Sequence, residues 1–411
     1  MCVLIVIGTA IVLGAGVLPG SPSEADPRDR RVTAVRSAVA ATLGVVAIAG
    51  CGAQSLRPHG TPQATPRPAL VDLGLSSAEL TLGQDVGPLA VTSSDVVFPV
   101  AATGNGEWNV VRAVSLASGK ARTVATSRYP QGLINWVAAT ADGWVYLVDQ
   151  EREQSDSRPA VLWRVMAVDP RGRERVIASN GRRPDPFVPI VRPAGEGVYW
   201  TSVDSDRSAR GSLWRPGWRR PRAVFRRQEM TPGTETVVGD DLVYLGGSSR
   251  GSTGQTVGGD CWERSLDGGR PRPLTRTALA MSCASDGNWL VWTEHLSPRD
   301  RVPADGVADN PYEVWARRIN GGTPVLLHRG YVSGEYPYVL GGVVVWNNEA
   351  DVQIVQQLDR LQNRVAVPRA PISGAAGSGS VLVVPSSRDG LTVAHVIRVP
   401  APRAAAPTSV D

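Results

Sequence analysis

Few side chains in this chain of 411 residues can do covalent or metal chemistry: it holds four histidines and four cysteines. His59, His295, His328 and His395 are widely separated and form no HExxH pair, and there is no CxxC and no P-loop. A Ser-His-acid triad needs no sequence neighbours, but His328 and His395 read as structural or solvated positions at strand ends. The densest polar cluster lies in HLSPRDRVPADGVADNP (295–311), with His295, Arg299, Asp300, Arg301, Asp305 and Asp309. Oxygen-rich loops of this kind suit calcium, yet the spacing matches no defined calcium loop, so no metal and no other cofactor is expected. DSDRS, with Asp204 and Asp206, is a weaker version of the same pattern. These residues, together with Trp108 near a loop, are read as candidate binding residues, and no catalytic residue is assigned.

Composition limits the partners. Apolar residues make up 42% and charged residues 20%, which is globular, and the net charge is only +5. The basic residues are arginines except for Lys120. One run, WRPGWRRPRAVFRR (214–227), sets six arginines among aromatics; a solvated strand face explains it better than a nucleic-acid patch, and no nucleic-acid partner is expected.

Two apolar runs open the chain. Residues 1–20 are about long enough to span a bilayer, whereas SAVAATLGVVAIAGC follows a basic cluster (Arg28, Arg30, Arg31, Arg36) and is shorter, like the core of a secretory signal. It ends Ile48-Ala49-Gly50-Cys51, which resembles a bacterial lipobox. That resemblance implies lipid on the Cys51 thiol and cleavage before it, and hence a lipid-anchored protein on the extracytoplasmic side of the membrane. More than one acyl chain is needed for stable anchoring, and the polar, Pro-rich segment after Cys51 reads as a tether. The run before the basic cluster fits either a translation start near Val32 or Val35, the preferred reading, or a membrane helix at 3–19. The expected organisation is 1–50 apolar segment and signal peptide, 51–74 tether, 75–400 folded body and 401–411 tail.

The body repeats. INWVAATADGWVYLVDQ (134–150), FVPIVRPAGEGVYWTSVD (187–204), TETVVGDDLVYLGG (234–247), MSCASDGNWLVWTEH (281–295) and YPYVLGGVVVWNNE (336–349) each read as strand, tight Asp/Gly/Asn turn, apolar strand. A second hairpin follows each, most clearly AVLWRVMAVDPRGRERVIAS (160–179). Four antiparallel strands over roughly 40 to 55 residues make a propeller blade. The predicted fold class is all-β, a β-propeller. Counting first hairpins gives seven four-stranded blades, with six or eight also compatible; the last repeat is one strand short, and AELTLG (78–83) can supply it and close the ring. Trp144, Trp200, Trp292 and Trp346 are expected in second strands, filling the wedges between blades.

Over about residues 75–400 the blades resemble those of TolB-like and related bacterial β-propellers, on hairpin shape alone and without a WD, Kelch or Asp-box motif. The resemblance implies binding of proteins, peptides or glycans. Related propellers also serve as enzymes, so fold does not decide function.

The links between strands two and three, predicted at 151–158, 204–212, 247–260 and 295–311, are long and emerge on one face of a propeller, where binding usually lives. Cys261, expected to open the third strand of blade four, and Cys283, in the first strand of blade five, can form a disulfide outside the cytoplasmic membrane; two buried thiols are the alternative. The functional expectation is a membrane-anchored extracytoplasmic propeller that binds an envelope protein, peptide or glycan through its long loops. The alternative is a hydrolase or lyase with carboxylates in the central channel.

Overall fold

In the computed structural model the described residues are 70–75, 77–102, 107–151, 161–181, 187–203, 209–228, 230, 233–250, 256–295, 312–330, 337–348, 352–370 and 374–400. The chain divides into residues 1–63 and 64–411, and everything described lies in the second unit.

A 3-10 turn at Leu70–Leu73 precedes β1 (Ser77–Gly83). Blade one follows as β2 (Ala90–Val91), β3 (Asp95–Ala101), β4 (Trp108–Ser115) and β5 (Ala121–Thr126). Blade two is β6 (Leu133–Ala139), β7 (Val145–Gln150), β8 (Trp163–Val168) and β9 (Glu174–Ser179). Blade three is β10 (Ile190–Ala194), β11 (Gly197–Val203), β12 (Ala209–Trp214) and β13 (Arg222–Gln228). Blade four is β14 (Thr236–Val238), β15 (Asp241–Arg250), β16 (Thr256–Ser265) and β17 (Arg272–Pro273). Blade five is β18 (Ala280–Ser285), β19 (Trp289–His295), β20 (Tyr312–Arg318) and β21 (Val325–Gly330). Blade six is β22 (Tyr338–Leu340), β23 (Val343–Asn348), β24 (Val352–Gln357) and β25 (Arg364–Pro368). Blade seven is β26 (Ala376–Ser378), β27 (Val381–Arg388) and β28 (Leu391–Arg398), completed by β1, which pairs with β28. All pairings are antiparallel, and a bridge between Gly259 and Ala280 links the sheets of blades four and five.

The local sequence explains these elements. A second strand is covered on both faces by neighbouring blades, so it reads as a continuous apolar run instead of an alternation; every residue of β7, VYLVDQ, is buried. The tight turns take the residues their backbone demands. Asp389 and Gly390 both have positive φ (53° and 77°), the mirror-image hairpin turn that Asp-Gly accepts most readily.

The apolar core is divided among the seams. Val96 and Phe98 of blade one pack with Val381 and Val383 of blade seven, and Leu382 and Val384 from the other face of β27 pack with Val343 and Val345 of blade six. The remaining seams repeat the arrangement, each with its own cluster. Leu70 and Leu73 of the 3-10 turn cover the seam between blades six and seven. Trp200, Trp292 and Trp346 are buried in these wedges. Trp144 instead stands one residue ahead of β7, stacked on Tyr146 and edge-on to Trp214 of blade three.

Two boundaries differ from the sequence reading. Cys261 lies inside β16, which begins at Thr256, because β15 and β16 run on as a long hairpin. For the same reason much of 247–260 is strand; in blade three, β12 starts at Ala209, where it pairs with Val203 of β11. The longer links that remain are 151–162 between β7 and β8, and 296–311 between β19 and β20.

Candidate functional site

The links between strands two and three emerge beside the connections between blades, on one face of the ring. Of the expected binding residues, Asp204, Asp206, Arg299, Asp300, Arg301, Asp305 and Asp309 lie outside the described residues, as do Ile48, Ala49, Gly50 and Cys51. His295 closes β19 directly opposite Tyr312, which opens β20. Their rings stack with centroids 4.8 Å apart, so an aromatic pair forms the foot of the 296–311 link. Trp108 opens β4 on the same face. Its indole Nε1 donates to the Asp85 carbonyl at 2.9 Å, and its ring covers Gly87, where a Cβ would meet it at 3.0 Å. Trp108 is thus a half-buried residue whose one donor is already engaged.

The structure reveals a set of polar anchors on this face that sequence reasoning missed. Asp149, fully buried at the end of strand two of blade two, accepts from Ser127 Oγ (2.5 Å), the Arg128 amide (3.1 Å) and Arg164 Nε (2.9 Å). It thereby fastens the connection from blade one. The Arg164 guanidinium lies 4.1 Å over the Tyr129 ring. Burial raises the Tyr129 phenol above its ordinary value, partly offset by Arg164. Asp260 accepts from Thr275 Oγ1 and the Ala278 amide, and Glu294 from Thr277 Oγ1 and Trp292 Nε1, which fix the connection from blade four to blade five. Glu235, on the connection into blade four, accepts from Thr201 Oγ1 at 2.8 Å through Oε1, while its Oε2 is buried without a hydrogen-bond partner among the described residues. Asp149, Asp260 and Glu294, bonded in this way, each hold a link in one place, because an unmatched buried polar group costs stability.

The channel has a different chemistry. The innermost strands β2, β6, β10, β14, β18, β22 and β26 carry no aspartate or glutamate. Besides Asn135 and small hydroxyl residues such as Thr236, Ser282 and Ser285, their polar features include Arg192, Trp136 and Tyr338. Arg192 lies 5.6 Å from the Trp136 ring centre and donates to the carbonyls of Glu235 and Gly233, both at 3.1 Å. Tyr338 donates to the Gly377 carbonyl, and burial holds its phenol well above its ordinary value. Among the described residues no three His, Cys, Asp or Glu side chains gather in a way that could hold a metal ion.

One arrangement has the outline of a nucleophilic triad. In blade seven Ser386 Oγ is 2.7 Å from His395 Nε2, and His395 Nδ1 is 3.4 Å from Glu79 Oε1. The serine is only 3% exposed, and the backbone of Arg369 from blade six bridges it. A substrate carbonyl has no approach to such a hydroxyl, so these residues serve the closure of the ring. His395 is therefore a buried mid-strand residue of β28, not a strand-end position.

Cys261 and Cys283 are joined by a disulfide, with Cα atoms 5.8 Å apart, that links β16 of blade four to β18 of blade five.

No family model matches the sequence, and no curated protein is similar to it in sequence. Solved structures are similar in fold. The β-propeller domain of the trilobed protease from Pyrococcus furiosus covers 77% of this chain and 95% of that one, at 8% identity and a TM-score of 0.53. The protein is a β-propeller. That archaeal domain has an open velcro topology, whereas β1 here closes the ring on β28. The structural neighbours also include a putative TolB from Agrobacterium tumefaciens (12% identity, 62% of this chain and 86% of that one, TM-score 0.39). Oligogalacturonate lyase from Vibrio parahaemolyticus is another (9% identity, 79% and 97%, TM-score 0.46). At these identities the likeness is one of fold, and function has to be argued from the site.

Proposed function

We propose that this propeller is an extracytoplasmic binding module, held at the cell membrane through lipid on Cys51, which takes an envelope protein, peptide or glycan on its loop face. The observation that carries the reading is the contrast between that face and the channel. On the loop face, Asp149, Asp260, Glu294 and Glu235 pin the connections to the strand ends, giving a stiff rim beneath the 151–162 and 296–311 links. Loops on a rigid scaffold bind with little ordering cost at their base.

A channel hydrolase or lyase would need carboxylates converging from the inner strands, and those strands carry none. Of the carboxylates nearest to them, Asp286 accepts from the amides of Asn288, Trp289 and Gly342, and Glu235 accepts from Thr201 through one oxygen. The test is site-specific photo-crosslinking in the native membrane, comparing the 296–311 link with the opposite face. An adduct confined to the link supports the module, and adducts at neither position refute a protein partner there.

A further inference from the structure

Blade four is missing most of its outer wall. The other outer strands run five to seven residues, whereas β17 has two, Arg272 and Pro273. The cause is in the sequence: Pro271 and Pro273 flank Arg272, and proline supplies no amide donor for a ladder. After Pro273 the chain turns inward. The amides of Leu274 and Thr275 both donate to the Cys261 carbonyl, at 2.6 and 3.2 Å. The seam between blades four and five is left open there as a cleft of about 450 Å³.

Its lining includes Arg272, Arg276 and Arg317 and no carboxylate, with Pro273, Ile319 and Asn320 among the other walls. Two of the guanidiniums are held in place. Arg272 is paired with Glu263, Nε at 3.0 Å from Oε2, and Arg317 donates to the Leu274 carbonyl. Arg276 is exposed and has no partner among the described residues. The hydroxyls nearby are already committed, Thr275 to Asp260 and Thr277 to Glu294. Two guanidiniums without carboxylate partners therefore face one concave space with proline and isoleucine walls. Guanidinium forks match the planar or tetrahedral oxygens of carboxylate and phosphate, and the volume is that of a small-molecule site.

We propose that this cleft, in the seam between blades four and five, is a second binding site, for a compact organic oxyanion. Its carboxylate or phosphate meets Arg276 and Arg317, and its apolar body rests on Pro273 and Ile319. The Cys261–Cys283 disulfide, directly behind the Leu274 turn, keeps the two blades together where the outer ladder is absent.

The test is titration calorimetry of the full chain with phenyl phosphate, benzoate and benzyl alcohol. Binding of at least one anion, but not of the alcohol, is expected, and which anion binds identifies the headgroup. Arg276→Glu, at an exposed site where folding is not at stake, should weaken that binding at least tenfold. Arg360→Glu, an exposed charge reversal on blade six, should leave it unchanged. Absence of binding by both anions, or equal losses in the two variants, would overturn the assignment.

Discussion

Glu79 and His395 stand directly opposite one another across the β1–β28 ladder, with Oε1 of Glu79 3.4 Å from Nδ1 of His395. Arg388 grips the same carboxylate with two hydrogen bonds of 2.9 and 3.0 Å. The strand that enters the ring and the strands that end it are thus fastened side chain to side chain as well as through the ladder. A closed ring leaves no free sheet edge inside the molecule.

The closure makes stability depend on pH. Burial holds the His395 imidazole below its ordinary value of 6.5, against the pull of Glu79. Around and below that pH the unfolded chain binds more protons than the folded one, so stability is full above about pH 6.5 and falls as pH is lowered. The melting temperature should drop by about 2 °C more between pH 7 and pH 5.5 in the wild type than in His395→Gln. Parallel melting curves for the two proteins would contradict this role.

The disulfide closes a loop with a sequence separation of 22. Cys261→Ser together with Cys283→Ser should cost about 3 kcal/mol by loop-closure entropy, seen as a fall of several degrees in melting temperature. Reduction of the wild type should reproduce the fall. A reductant-insensitive melting curve would show that the bond carries no stability.

Removing a partner from a buried ion pair strands the other charge. Asp149→Ala leaves Arg164, Ser127 and the Arg128 amide without their acceptor, and a loss of about 3 kcal/mol is expected in denaturant unfolding. Asp149→Asn keeps an acceptor oxygen and should lose less. Equal losses would mean that the charge alone, and not an acceptor of that shape, fixes this link.

Lipid on Cys51 would place the chain in the membrane fraction, and Cys51→Ser should move it to the soluble fraction with loss of the acyl mass. Retention of Cys51→Ser in the membrane would assign anchoring to another segment.

Much of the architecture was legible in sequence because second strands, buried on both faces, cannot hide their apolar runs. VYLVDQ after Ala141-Asp142-Gly143, or LVVPSSRDGLTV around Asp389-Gly390, signals a hairpin by itself. Even the completion of blade seven by residues 78–83 could be read from the strand count. The polar anchors could not, because each joins residues remote in sequence: Asp149 to Ser127, Glu235 to Thr201, Glu79 to Arg388 across 309 positions. What was available was a weaker signal, a carboxylate ending an apolar run, as in VYLVDQ and WLVWTEH. The prolines around Arg272 likewise announced a broken outer strand, but the cleft needs Arg317 from the next blade, which only the fold brings there.

The central claim is that ligand is taken on the loop face. A photo-crosslinking residue at position 303, within the 296–311 link, tests it against one at Asp267, in the turn between β16 and β17 on the opposite face. With the lipid-anchored protein in its native membrane, a discrete adduct at 303 and none at 267 is the result predicted. Adducts at both positions, or at 267 alone, would contradict a binding site on the loop face.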